Sequence, residues 1–246
     1  MLIATAIVVA VISLIVVSGF RWSEKERHEA ERNARFIGHL NRVAEIIDQY
    51  VQYQRNAVEG LLRMAPRDPS GRPIVASLAA QLDAVNGATL HVLFFDKWNL
   101  VSEVGASDAP AEVLAQIATK ATRSRKTQIE AIGESGNLAF AAPDLLEAAG
   151  ALVVVMSVNW LRAEIAEHGS RSPSAFELRD SAGRVLADVA SDSGDVVTLT
   201  SEARDAVLAH PGGVLTLDED LVAAALRLEN VDWELFAVEN IGSAQR

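Results

Sequence analysis

The sequence predicts an α+β fold in which one long N-terminal helix precedes two tandem antiparallel sheets with flanking helices. Three observations predict it. Residues 21–65 contain no proline, apolar residues recur at helical spacing from Phe36 to Leu61, and two series of short strand-like segments follow in the same order. Because the strand-like segments are joined by tight turns and each series includes a helix, we expect antiparallel sheets with a helix packed across each.

The composition excludes several classes of function. The 246 residues carry a formal net charge of -11, which argues against wide contact with nucleic acid, since phosphate binding requires clustered Lys and Arg. The chain has no cysteine, so disulfides, thiol nucleophiles and Cys-ligated metals are excluded.

The first 20 residues read as a membrane anchor. Residues 2–20 carry no charged side chain, and a helix needs about 20 apolar residues to span a bilayer. A cleaved signal peptide is the alternative, but no Lys or Arg precedes the apolar run and Val17-Ser18-Gly19 matches a cleavage site only loosely. The basic residues that follow the span would favour a cytoplasmic location, so orientation depends on the fold.

Residues 21–65 are predicted to continue the anchor as a stalk and packing helix. The charged stretch from Glu24 to Arg35 reads as solvated, and an apolar stripe follows it. The stripe packs against its own domain, pairs with a second copy of the helix, or does both. Its predicted members are Phe36, Leu40, Val43, Ile47 and Tyr50, and then, after the polar Gln54, Ala57 and Leu61.

Residues 66–162 and 163–246 form two units with the same order of elements: a hairpin, a helix, then three strands. Asp96 aligns with Asp180 and Asn99 with Gly183 in the hairpin turns, which both need a residue that tolerates positive φ. A further helix is expected at 74–85. The hairpin strands are expected at 89–95, 100–104, 175–179 and 184–189, the helices at 109–122 and 201–209, and the remaining strands at 127–132, 137–142, 151–158, 213–217, 221–228 and 233–238.

This arrangement resembles the double Cache sensors of bacterial receptors, which carry two PAS-like sheets in tandem after a membrane helix and a long stalk. The resemblance is most specific at Pro143-Asp144 with the strand that starts at Gly150, and at Trp233–Glu239. It implies a periplasmic small-molecule sensor on the inner membrane, with residues 66–162 membrane-distal, residues 163–246 membrane-proximal, and a homodimer formed through the long helix.

Two departures from the family limit what the resemblance implies. Members that bind amino acids have a Tyr, Arg and Trp-Tyr cluster before an Asp, and residues 127–144 contain no Tyr, Trp or Arg. Amino-acid sensing of that type is therefore not expected. The family's second membrane helix and output domain would follow Arg246, so a truncated receptor and a chain that acts through a partner both stay open.

The candidate ligand-binding residues lie in the first unit, where we expect a small molecule to bind. Anions are among the ligands that we consider. Guanidinium groups of the run 123–126 match a carboxylate, although a solvated turn also explains this run. Asp144 lies where the family places a ligand-contacting Asp, but it is also an ordinary turn former. His91 lies in an alternating strand where its side chain could point inward, although a lone histidine is more often a structural residue. The candidates are His91, Lys97, Trp98, Arg123, Arg125, Lys126 and Asp144.

No catalytic, metal or cofactor site is expected. The five histidines lack the i, i+4 spacing of helical metal sites, and neither a Gly-x-Ser-x-Gly motif nor a phosphate-binding Gly loop occurs. The carboxylates at 218–220 fit a hairpin turn. The alternative function is a membrane-tethered scaffold or accessory protein without a ligand, and an extracytoplasmic hydrolase is the third. An open pocket in the first unit would favour the sensor, and a filled core would favour the scaffold.

Overall fold

The computed structural model describes residues 2–96, 98–146, 150–169, 173–192, 194, 199–218 and 220–242. Helix α1, Leu2–Met64, is a single helix of 63 residues. The side chains of residues 2–20, on which the predicted membrane anchor depends, lie outside the described part of the chain. Where side chains are described, no helix has both the length and the apolar character needed to cross a membrane.

The apolar stripe of α1 packs against the two sheets of its own chain. Phe36, Leu40, Val43 and Ile47 are buried there, as predicted for a packing helix. Beyond Ile47 the predicted apolar positions Tyr50, Ala57 and Leu61 are each wrong by one residue, because the prediction alternated steps of four and three while a straight α-helix has 3.6 residues per turn. The buried residues of this second half are Val51, Gln54, Val58 and Leu62.

The first sheet has the strand order β2-β1-β5-β4-β3, and every neighbouring pair is antiparallel. Helix α2 precedes the sheet and helix α3 lies between β2 and β3. The elements are α2 Val75–Asn86, β1 Thr89–Asp96, β2 Asn99–Gly105, α3 Ala111–Ser124, β3 Gln128–Ile132, β4 Asn137–Pro143 and β5 Gly150–Met156.

The second sheet repeats this design with the order β7-β6-β10-β9-β8. Helix α4 takes the place of α2, and α5 takes the place of α3, so the predicted pair of antiparallel sheets with flanking helices is confirmed. The elements are α4 Asn159–Gly169, β6 Ser174–Arg179, β7 Val185–Val189, α5 Ser201–Leu208, β8 Leu215–Asp218, β9 Leu221–Arg227 and β10 Glu234–Asn240.

The two hairpin turns differ in length by one residue, so the predicted alignment of Asn99 with Gly183 is wrong. In the first hairpin Asp96 pairs with Asn99, and positive φ falls on Trp98 (77°) and not on Asn99. In the second, the N–H of Asp180 donates to the carbonyl of Arg184, and Gly183 has φ 78°. The second loop is longer by one residue, so Asn99 corresponds to Arg184.

Alternate residues of the first sheet face two different cores. Val92 and Phe94 point to the core that includes α1, and this core continues without a break under the second sheet. Leu93 and Phe95 point to α3, where small alanines of the sheet and apolar residues of α3 fill the interior. The face of the first sheet under α3 is therefore a packed core.

Helix α1 meets the second sheet before it meets the first. The His39 ring lies edge-on to Phe176 of β6, with centroids 6.2 Å apart. Further along, the Asp48 carboxylate accepts the backbone N–H groups of Glu229 and Asn230. Near its C-terminal end α1 contacts the first sheet, where Arg55 donates to the carbonyl of Thr127, the residue before β3.

Candidate functional site

A cavity of about 460 Å³ lies where the C-terminal part of α1 meets the rim of the first sheet. Three segments form its wall: the last turns of α1, the junction between α3 and β3, and the turn between β4 and β5. The α1 segment contributes Arg55, Glu59, Leu62 and Arg63. Arg55, Glu59 and Arg63 are four residues apart in turn, and Leu62 follows Glu59 by three, so these positions lie on one side of the helix.

A group of hydrogen bonds connects α1 to Thr127, the residue before β3, at the wall of this cavity. The Thr127 hydroxyl donates to Glu59 Oε1 at 2.5 Å, and Arg55 Nη2 donates to the Thr127 carbonyl at 3.2 Å. Arg63 Nη2 lies 3.3 Å from Glu59 Oε2. The carboxylate of Glu59 therefore has donors on both oxygens.

The junction between α3 and β3 contributes two adjacent cations. Arg125 ends the helix in the left-handed conformation, with φ 55°, and Lys126 and Thr127 follow it on the cavity wall. The Ser124 hydroxyl holds this turn by accepting the backbone N–H of Lys126 at 3.3 Å. Within the described part of the chain, neither Arg125 nor Lys126 has a carboxylate within ion-pair distance.

The turn after β4 contributes Asp144, whose carboxylate is already bound within the protein. Arg67 donates to both of its oxygens, with Nη1–Oδ2 at 2.8 Å and Nη2–Oδ1 at 3.0 Å, and the N–H of Leu146 donates to Oδ1 at 3.1 Å. The Asp144 side chain is only 2% exposed. Pro143, Leu145 and Leu146 complete this part of the wall.

The loop between α1 and α2, which contains Arg67, is held by several hydrogen bonds. The Asp68 carboxylate accepts the Ser70 hydroxyl at 2.6 Å and the N–H groups of Ser70 and Arg72, and the hydroxyl bond is the main reason that the pKa of Asp68 is lowered. Arg72 pairs with Asp96 in turn, at 2.6 Å. These bonds connect the end of α1 to two turns of the first sheet.

The cavity has a cationic and partly apolar wall that solvent reaches. Its lining has four cationic side chains against two carboxylates, in a chain whose net charge is -11. Leu145 and Leu146 are exposed by 65% and 70%. Such a wall suits a small anion with an apolar part, because charge and apolar surface lie side by side.

The structure brings three of the predicted residues together, and three of the others, His91, Trp98 and Arg123, lie outside the cavity lining. Arg125, Lys126 and Asp144 line the cavity. Arg123 lies outside its lining, over the exposed ring of Trp98, with its guanidinium carbon 5.5 Å from the ring centroid. Lys97 lies outside the described residues.

His91 also lies away from the cavity. Its Nε2 is 3.0 Å from Glu103 Oε2, and its Nδ1 is 3.2 Å from Ser107 Oγ. Both ring nitrogens therefore have partners at the edge of the first sheet.

Sequence reasoning missed the contribution of α1 and of Arg67. Arg55, Glu59 and Arg63 are spaced by four residues, which is a visible signal for ion pairs along one helix face. The signal does not say what the face meets, because Thr127 is 68 residues from Glu59 in the chain.

A second cavity, of about 640 Å³, lies between α1 and the hairpin of β9 and β10. Its wall includes four amide side chains of α1, among them Gln49 and Gln52. Its charged side chains are three carboxylates and Arg227, so its electrostatic character is opposite to that of the first cavity. None of the predicted ligand residues lines it.

Solved structures share the fold over most of the chain. The ligand-binding domain of the Campylobacter jejuni chemoreceptor Tlp3, in complex with L-valine, has a TM-score of 0.63 at 10% identity and covers 89% of this chain and 96% of its own. The domain of the Pseudomonas aeruginosa PAO1 receptor PctB, in complex with L-Arg, has a TM-score of 0.60 at 12% identity, with coverage of 87% and 90%.

A third solved structure is matched over less than half of its own length. An extracellular ligand-binding receptor from Desulfohalobium retbaense DSM5692 has a TM-score of 0.57 at 14% identity, covering 84% of this chain and 40% of that one. No protein-family model and no curated protein matches the sequence. The chain therefore shares its fold with chemoreceptor ligand-binding domains, which agrees with the predicted resemblance to double Cache sensors.

Proposed function

We propose that the chain is the extracytoplasmic sensor region of a bacterial membrane receptor, and that it binds a small molecule in the cavity beside Arg125, Lys126 and Asp144. The observation that carries the proposal is the cavity itself: a solvent-accessible site with charged and apolar walls, on a fold shared with chemoreceptor ligand-binding domains. The chain has no catalytic role in this proposal.

Residues 1–20 anchor the protein in the inner membrane, and the domain lies in the periplasm. The uncharged run of residues 2–20 supports the anchor. Residues 66–162 form the membrane-distal unit and residues 163–246 the proximal one, which is consistent with α1 meeting the second sheet first.

The signal passes along α1, which is part of both the cavity wall and the stalk. About 40 residues separate Phe20 from Glu59, or roughly 60 Å of helix. A ligand shifts the position of this rod only by its difference in affinity for two arrangements of the cavity. A homodimer through α1 would let two rods move against each other, and its contact is the stalk and the polar outer face, because the apolar stripe is buried.

The experiment is a thermal-shift screen of the full-length chain in nanodiscs against organic acids, amino acids, amines and purines. A ligand at 100 times its Kd adds about 2.7 kcal/mol of stability, which a melting curve resolves. We expect a saturable increase in Tm that Arg125→Gln reduces clearly at the same ligand concentration, and that Lys120→Gln, which changes an exposed cation outside the cavity, leaves unchanged.

A membrane-tethered scaffold without a ligand is the second candidate. The packed core between α3 and the first sheet favours it, since that face offers no room for a small molecule. No increase in Tm across the whole panel, with a chain that melts cooperatively, would favour the scaffold over the sensor.

A further inference from the structure

We propose that the ligand is a small carboxylate with a short apolar body and no ammonium group, and that Arg125 and Lys126 bind its carboxylate. This inference rests on the proposed function and specifies the ligand class for the same cavity. It follows from which charged groups of the wall are already neutralised and which are not.

The two carboxylates of the wall are occupied by protein donors. Asp144 receives both arms of the Arg67 guanidinium and the N–H of Leu146. Glu59 receives the Thr127 hydroxyl and lies in reach of two arginines. An ammonium group in the cavity would compete with these donors and would lie near further cations, so zwitterions and amines are disfavoured.

The adjacent pair Arg125 and Lys126 provides the unneutralised positive charge. No described carboxylate lies within ion-pair distance of either residue, although the protein as a whole is strongly acidic. A guanidinium binds both oxygens of a carboxylate, and a neighbouring ammonium adds a charge-assisted hydrogen bond. A ligand carboxylate therefore binds best at this end of the cavity.

The apolar part of the ligand has its own contacts. Leu62 is buried on the α1 side, and Leu145 and Leu146 are largely exposed on the β4 side. A ligand that covers the two exposed leucines removes their apolar surface from water. A carboxylate without an apolar body would not make this contribution.

Calorimetric titration of the full-length chain in nanodiscs, with empty nanodiscs as the blank, tests the inference. The probes are pentanoate, pentanamide, pentylamine and norvaline, which share a five-carbon skeleton and differ in their polar groups. We expect pentanoate to bind at least about 10-fold more tightly than the other three. Acetate, which keeps the carboxylate and lacks the chain, is expected to bind more weakly than pentanoate.

Variants locate the carboxylate. Arg125→Gln and Lys126→Gln are each expected to weaken pentanoate binding about 10-fold, and Arg125→Lys should retain part of the affinity. Lys120→Gln is the matched control on the same helix, because Lys120 pairs with Glu130 outside the cavity. Melting curves recorded first show that each variant is folded, and a variant that fails to fold is replaced by its neighbour in the pair.

The other possible binding results contradict either the carboxylate inference alone or the proposed function as well. Tighter binding of norvaline or pentylamine than of pentanoate would overturn the carboxylate inference and leave the sensor intact. So would a purine or other class that binds while pentanoate does not. If no compound of either panel binds, the proposed function fails as well.

Discussion

Arg67 and Asp144 face each other across 77 residues of chain and form a two-point ion pair, with N–O distances of 2.8 and 3.0 Å. The pair joins the loop after α1 to the turn after β4, and Arg67 also donates to the Gly71 carbonyl within its own loop. The Asp144 side chain is almost fully buried, and the Arg67 side chain is 20% exposed. The pair therefore couples the end of the long helix to the rim of the candidate ligand cavity.

Replacing Asp144 by Asn is expected to lower the free energy of unfolding by about 3 kcal/mol, because it leaves a largely buried guanidinium without its counter-charge. The amide still accepts the Leu146 N–H, so the turn is retained. Chemical denaturation measures the change. Arg227→Gln, which breaks a pair whose arginine is 72% exposed, is the control and should cost less than about 1 kcal/mol. Equal costs for the two variants would contradict the structural role of the Arg67 pair.

Gly105→Ala is expected to destabilise the first sheet by at least about 2 kcal/mol, because the residue has positive φ and its new methyl group would overlap a backbone atom. Gly105 has φ +89°, and a Cβ would lie 2.1 Å from the Leu90 carbonyl oxygen. The matched variant is Gly60→Ala in α1, where a Cβ meets nothing within 4 Å. It should stabilise the protein by about 0.5–1 kcal/mol, since alanine favours helix. Melting curves that rank the two variants in the opposite order would be inconsistent with these backbone positions.

Tyr50 and Trp160 are expected to couple energetically, because their rings stack with centroids 3.8 Å apart and planes inclined by 20°. A double-mutant cycle with Tyr50→Leu and Trp160→Leu should give a coupling free energy of about 0.5–1.5 kcal/mol. Burial of the same tyrosine raises its pKa, so titration of the phenol offers a second readout. Tyr53 lies 6.5 Å from Tyr50 in a tilted arrangement and serves as the comparison pair. A coupling no larger for Trp160 than for Tyr53 would count against the stack.

Stability is expected to fall as the pH decreases below the usual range of a carboxyl group, partly through Asp108. The Ser135 hydroxyl donates to its Oδ2 at 2.8 Å, and this bond is the main reason that the pKa of Asp108 lies below 3.8. With a lowered folded-state pKa, the unfolded chain binds more protons, so this contribution is present above the unfolded pKa and lost as the pH falls through the folded one.

The measurement is Tm against pH for the wild type and for Ser135→Ala. Removing the hydroxyl should raise the pKa of Asp108, which NMR titration follows, and should flatten the acid side of the Tm profile. An unchanged Asp108 titration in the variant would show that the Ser135 bond does not control it.

Local patterns were enough to predict most elements of the fold. Strand β1 and helix α3 follow from alternation and from spacing, and the tandem order follows from two copies of the same series. The errors came where a local rule was ambiguous: the positive φ fell on Trp98, and the stripe of α1 drifted by one residue after Ile47. A positive φ at either Trp98 or Asn99 is compatible with a hairpin turn. A small difference in the assumed helical repeat displaces a stripe by one residue only after several turns.

The candidate site was predicted in part. Arg125, Lys126 and Asp144 were named from a basic run and from a family position, and the structure brings them to one cavity. His91 and Arg123 belong to other contacts. A charged residue in a strand or turn has several possible neighbours, and the sequence alone does not choose among them.

The sequence by itself determined the long helix, the two sheets and the absence of cysteine chemistry, because these depend on spacing and composition along the chain. Only the tertiary structure decided which charges are neutralised. Asp144 is paired by Arg67 and Glu59 by Thr127, while Arg125 and Lys126 have no such carboxylate partner among the described residues. Hydrogen bonds and Coulomb interactions depend on distance in space, and residues far apart in the chain meet only when the fold has brought α1, β3 and the turn after β4 together.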